Sequence, residues 1–233
     1  MQLQAPMKTL LLFLSLSPLL FAQKESGNWA LTFDDEFNGA ELDLARWVPH
    51  DPRAPRDARA PEDVTVSGGE LHIVARRKDS EYVSGIVSTF GLFSQTYGRF
   101  EIRCRVPAGP GLRPAFQLLP VPPGPLPAID VFETTGSAPS TVFFANHWGT
   151  EQTERSFGDS FTGPDLSTGF HMLSVEWDHD KITWSIDGKE KFRSTDGIPH
   201  QPMYLLIDLA VHGPDATLPA SFDVDYIRVY QHP

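Results

Sequence analysis

Asp130 and Glu133, three residues apart in Pro127-Ala128-Ile129-Asp130-Val131-Phe132-Glu133, are the pair in this chain best placed to do chemistry together. Two carboxyl groups that face one space can divide nucleophilic or electrostatic work from proton transfer. On an ideal strand, however, positions 128, 130 and 132 share one face and 133 points to the other. Bringing Glu133 beside Asp130 requires one inserted residue, which predicts a β-bulge near Val131 or Phe132. Ala128, first on the same face, contributes only a methyl group.

The elements that must hold this segment read as strands. Twenty-one prolines and eighteen glycines punctuate short runs that alternate apolar and polar residues, the texture of an all-β sandwich with few helices. Leu71 to Ala75, Gly98 to Val106 and Ile182 to Ile186 show period-two patterning. Asp187-Gly188 signals a hairpin that returns through Lys189 to Phe192, and the alternating stretch Phe222 to Tyr230 is expected to close a sheet. A length of 233 residues suits one domain, here 23–233. It is preceded by a secretory signal peptide at 1–22: Lys8, the apolar stretch Leu10 to Phe21, then Ala22. That stretch is short for a membrane span, and Lys24 and Glu25 follow at once.

Composition narrows the partners. A formal net charge of -11 disfavours nucleic acid and anionic lipid, which reward clustered lysine and arginine. The one basic cluster, Arg53, Arg56 and Arg59, lies among prolines and aspartates and reads as a solvated loop. Cys104 is the only cysteine, so no internal disulfide forms and it is expected to be a small buried hydrophobe on a strand. His50, His72, His147, His171, His179, His200 and His212 show no zinc-type spacing. Gly158-Asp159-Ser160 has the form of an esterase nucleophile block, but it falls mid-chain in an all-β pattern, which argues against that role.

Motifs along most of the chain, from about Leu31 to Tyr230, resemble glycoside hydrolase family 16, the β-glucanase, laminarinase and agarase group. Asp35-Glu36-Phe37-Asn38-Gly39 is similar to its D-E-F-N-G opening, and Tyr97-Gly98-Arg99-Phe100-Glu101 to its Y-G-R-F-E strand. Pro107-Ala108-Gly109 and Gly111-Leu112 through Phe116 resemble P-x-G-x-G-L-W-P-A-F. Phe170-His171, Glu176-Trp177 and Val224-Asp225-Tyr226 follow in family order, and Ala128 to Glu133 aligns with E-I-D-x-x-E. The resemblance implies a jelly-roll β-sandwich of two antiparallel sheets with a concave glycan cleft. Retaining hydrolysis of a β-glycoside there uses two carboxyl groups about 5 to 5.5 Å apart.

Carried over by position, Glu133 matches the general acid/base and Asp130 the helper carboxylate, while Ala128 stands where the family has its nucleophile. Arg113 and Gln117 replace cleft tryptophans, and the Pro/Arg loop His50 to Pro61 replaces a substrate loop. Glu101, Arg103, His147 and Trp148 match positions that line sugar subsites. No cofactor is required; a structural calcium is implied, with Asp225 as its side-chain ligand and Gly69 and Glu36 near its backbone ligands. The expectation is a secreted or periplasmic monomer that binds a β-linked polysaccharide, β-glucan or galactan, without efficient hydrolysis. The enzymatic alternative is an endo-β-glycosidase or transglycosylase that works through Glu133.

Overall fold

The structure is a computed structural model, and it describes residues 29–53 and 61–232. The signal peptide, Arg56 and Arg59 lie outside the described residues. Among these residues there is one short 3-10 turn, Pro61–Asp63, and everything else that is regular is strand. No helix among them is long and apolar enough to cross a membrane.

Two antiparallel sheets make up the expected jelly-roll sandwich. The larger runs, in spatial order, through β13 (Lys189–Ser194), β12 (Ile182–Ile186), β11 (His171–Trp177), β6 (Gly98–Arg105), β15 (Ala220–Gln231), β3 (Glu70–Lys78) and β2 (Val64–Ser67). Strand β1 (Ala30–Asp35) also pairs with β15, and β4 (Glu81–Ser84) with β3. The smaller sheet runs β10 (Arg155–Thr162), β9 (Thr141–Trp148), β8 (Ala128–Thr134), β7 (Leu112–Pro120), β14 (Met203–Val211) and β5 (Ile86–Ser88).

Alternation decides what each strand buries. On β6, Phe100, Ile102 and Cys104 point into the sandwich and are fully buried, so Glu101 and Arg103 between them face the other way. Phe116, Ile129, Val131, Phe132 and Phe144 from the smaller sheet meet Trp184, Phe222 and Val224 from the larger in one continuous core. Each such side chain contributes about 1.5–3 kcal/mol through loss of water contact. Burial pushes the Cys104 thiol upward in pKa, as befits a packing residue. The β12–β13 hairpin turns on Asp187 (φ 50°) and Gly188 (φ 71°), the consecutive left-handed pair that Asp-Gly tolerates. Strand β15, expected to close a sheet, instead lies inside the larger one between β6 and β3, and also pairs with β1.

Candidate active site

Strand β8 carries the bulge that its two carboxylates require. Against β7, Glu133 pairs with Ala115, Phe132 with Phe116 and Asp130 with Gln117, so Val131 is the extra residue. The same irregularity appears against β9, where Asp130 faces Ala145 and Glu133 faces Phe143. Val131 and Phe132 both enter the core, and this turns Asp130 and Glu133 onto the opposite, concave face. Trp184, reaching across from β12, donates its indole N–H to the Asp130 carbonyl at 2.8 Å, so a backbone acceptor at the bulge is satisfied from the other sheet.

At the Glu133 end the concave face is polar and open. Arg113, 47% exposed, forms an ion pair with Glu133 Oε1. Gln117 donates to Asp130 Oδ1 at 2.7 Å, and His147 Nε2 lies 3.0 Å from Asp130 Oδ2. The other imidazole nitrogen is 3.2 Å from Glu154. Hydrogen bonding to Asp130 raises the His147 pKa, burial opposes this, and Glu154 adds to the rise. An imidazole that donates to carboxylates on both sides must carry both protons. Thus Arg113 and Gln117 each engage one of the two carboxylates on this face.

At the Ala128 end the same face is apolar toward β7 and β14, while across the sheet on β9 Ala128 pairs with His147. Ala128, 6% exposed, packs in a small cluster with Ile86, Leu119, Tyr204 and Leu206, against which Phe90 and Val121 also lie. The Tyr204 ring is 5.4 Å edge-on from Phe90, and its hydroxyl is buried without a hydrogen-bond partner. Burial pushes that hydroxyl up to about 12, with Arg53 opposing and Asp51 adding. Asp51 is itself buried, and its carboxylate holds the Arg53 guanidinium at 2.8 Å. Arg53 therefore belongs to a local ion pair rather than to a free basic patch.

Several expected site residues lie elsewhere. Glu101 and Arg103 do not line the concave face: they alternate with Phe100, Ile102 and Cys104 on β6, in the other sheet, and so project from its outer surface. There Glu101 accepts from Arg99 at 2.5 Å and from the Tyr226 hydroxyl at 2.7 Å, and Arg103 pairs with Asp225 and sits over Phe170. Trp148 is likewise corrected. On β9 it shares the parity of Val142, Phe144 and Asn146, opposite to His147, and its indole lies against Gly197, where a Cβ would collide with it. Gly197 has φ +60°, and Asn146 holds its segment by donating to the carbonyls of Asp196 and Gly197 at 2.6 and 3.2 Å.

The one side-chain position of the expected calcium set, Asp225, already has a cation for a partner. Arg103 occupies the Asp225 carboxylate, and Arg228 grips both oxygens of Glu36 at 2.7 and 3.0 Å. Gly69, in the β2–β3 turn, neighbours Asn38. The other clustered donors among the described residues, Glu70, His72 and Asp223, already have a cation, because Arg105 donates to Asp223 at 2.8 Å. Ser160 lies on exposed edge strand β10 opposite Phe143, and among the described residues no base hydrogen-bonds its hydroxyl.

One residue on the open side went unremarked in the sequence. Phe143, 44% exposed, pairs across the sheet with Glu133 and alternates with Ala145 and His147 on the concave face. The doublet Phe143-Phe144 in an alternating strand was the available signal, since only one of the two can enter the core.

Comparison with known proteins agrees with this geometry. The family described as Glycosyl hydrolases family 16 matches residues 56–228. The chain is 29% identical over 256 aligned residues to glucan endo-1,3-beta-glucosidase A1 of Niallia circulans, covering 86% of this chain but only 38% of that protein. It is 34% identical to a beta-glucanase of Rhodothermus marinus, over 73% of this chain and 71% of the relative. The laminarinase catalytic domain of Thermotoga petrophila RKU-1 superposes with a TM-score of 0.78 at 26% identity, covering 88% of this chain and 99% of that one.

Proposed function

The chain belongs to glycosyl hydrolase family 16, and from that membership we propose that it binds a β-linked polysaccharide, a β-glucan or a related galactan, without efficient retaining hydrolysis. The observation that carries this is the environment of Ala128. A retaining mechanism needs a carboxylate that attacks the anomeric carbon and leaves again. At the position that matches the nucleophile there is a methyl group, set beside Leu119, Tyr204 and Leu206 and opposite His147, so the one group that could attack is absent. On the other side, a guanidinium occupies the Glu133 oxygen that a general acid must present free and protonated. What this arrangement leaves is a concave surface with donors, acceptors and the exposed ring of Phe143, suited to holding sugar hydroxyls and a pyranose face. Secretion belongs to the same proposal and rests on the apolar stretch Leu10 to Phe21.

The test pairs two measurements on purified protein: binding to laminarin, lichenan and agarose, and release of reducing sugar from each. The expected result is saturable binding to at least one polymer with no turnover above a buffer control. Hydrolysis at rates ordinary for a glucanase would overturn it. A second reading, weak hydrolysis through Glu133, is favoured by one observation: the bulge still presents Asp130 and Glu133 together on the concave face. Azide, a small nucleophile that could enter beside Ala128, separates the two. Activity that appears only with azide and vanishes in Glu133→Gln would mean that the acid/base survives and the nucleophile alone is absent.

A further inference from the structure

The concave face is not open along its whole width. Toward β9 and β10 it is exposed at Phe143 and partly exposed at His147 and Ala145. Toward β5 it is closed. Ile86 and Ser88 on β5, and Tyr204, Leu206 and Asp208 on β14, are all buried, although they alternate with Val87 and with Leu205, Ile207 and Leu209, which fill the core. Something covers the β5 side, and the described residues show what does. Val48 pairs with Ser88, which lays the segment from Val48 to Arg53 along the β5 edge, and the His50 carbonyl accepts from the Ser88 hydroxyl at 3.0 Å. From the other direction comes the β7–β8 connection, which starts at Val121. Pro52 and Arg53 face Pro123, Gly124 and Pro125 across a cavity of about 530 Å³, and Arg53 interacts electrostatically with Tyr204 and Asp208 of β14, so the first segment lies beside β14 and the second borders the same space. Phe90 and Val121 complete the cover over Tyr204 and Leu206.

A polymer bound by its interior has to leave a cleft at both ends. We infer that this cleft is blind on the β5 side and takes the end of a glycan chain, which enters across Phe143 and stops against the cover over β14. The inference rests on the glycan-binding proposal and deepens it, by naming the chain terminus rather than the repeating interior as the feature recognised. The cover is firm where it matters: Asp51 is buried under the Arg53 guanidinium, and the backbone from Val48 is hydrogen-bonded to Ser88 in both directions at 2.7 and 2.8 Å. It closes the same side that lacks the nucleophile, so the chain loses the cleavage chemistry and the through-going path together.

The test counts protein molecules per glycan chain. Linear β-1,3-glucans of defined length, a hexasaccharide and one several times longer, are titrated with the full protein by isothermal calorimetry. Sedimentation checks the size of each complex. The expected stoichiometry is one protein per chain at both lengths, with equal affinity per mole of chain. Several proteins on each long chain, with affinity per chain rising with length, would overturn end recognition while leaving glycan binding intact. Absence of binding to either length, or to galactan oligosaccharides run alongside, would overturn the glycan-binding proposal itself and the inference with it. The borohydride-reduced hexasaccharide assigns the end: undiminished binding supports entry by the non-reducing terminus, and loss of binding supports the reducing one.

Discussion

The two ends of strand β8 face the same cleft and have opposite physical characters. At Ala128 the neighbours are Ile86, Leu119, Tyr204 and Leu206 on the β7 side, with only His147 polar across the sheet, and the methyl group is buried. At Glu133 they are Arg113 and Phe143, both substantially exposed, with Asp130, Gln117 and His147 linked by hydrogen bonds nearby. At the first end a methyl group is taken up in packing. At the second, Glu133 is held in an ion pair and Asp130 between two hydrogen bonds. The comparison assigns stability to the apolar end and, under the proposed glycan binding, recognition to the polar end, so substitutions at the two should fail in different assays.

The sharpest attempt to break that division is Ala128→Glu. A carboxylate placed there meets the apolar cluster on one side and the His147 imidazole on the other, so the variant is expected to lose about 2 kcal/mol of unfolding free energy near neutral pH, mostly through overpacking. Hydrolysis should recover only in part, because Arg113 and Gln117 still engage Glu133 and Asp130. Urea denaturation and a reducing-sugar assay check both halves, and full activity at wild-type stability would end the comparison. Leu119→Ala, at the same end, should cost about 3 kcal/mol by leaving a cavity between Ala128 and Tyr204. Glycan affinity per folded molecule should change little.

At the other end the prediction reverses. Arg113→Ala removes a half-exposed ion pair, worth less than about 1 kcal/mol of stability. Phe143→Ala should leave stability within about 1 kcal/mol yet weaken glycan binding about tenfold, through loss of a stacking face. A large stability loss in either variant would show that the polar end is also structural. His147 supplies the pH arm. Its pKa is raised in the folded protein, so its contribution is fully present below about pH 6.5, the unfolded imidazole value, and is lost as pH rises through the folded value. The melting-temperature gap between wild type and His147→Gln should therefore be widest near pH 5.5 and narrow toward pH 8. The smallest effect is expected for Tyr204→Phe, which deletes an unpartnered hydroxyl and should leave stability unchanged or slightly higher.

Much of this was legible before the structure. The bulge followed from two carboxylates three apart, and Asp187-Gly188 marked its hairpin because few other dipeptides accept two left-handed residues. Glu101 and Arg103 were misplaced because alternation tells which residues share a face but not whether that face is the cleft or the outer surface of the other sheet. Trp148 was recoverable: once His147 faces the cleft, its neighbour on a regular strand cannot. The apolar cover around Ala128 was out of reach. Ile86, Leu119, Tyr204 and Leu206 come from three strands far apart in the chain, and only their pairing order in the sheet brings them together.

The hydrogen bond from Trp184 to the Asp130 carbonyl ties the bulge to the hydrophobic core, so the bulge is held whether or not anything is ever cleaved. A lineage selected only to keep a folded sandwich would go on displaying two carboxylates toward a groove, generation after generation, with turnover long gone. In such a chain the outward form of strand β8 is inherited through its packing, independently of the work that the groove performs.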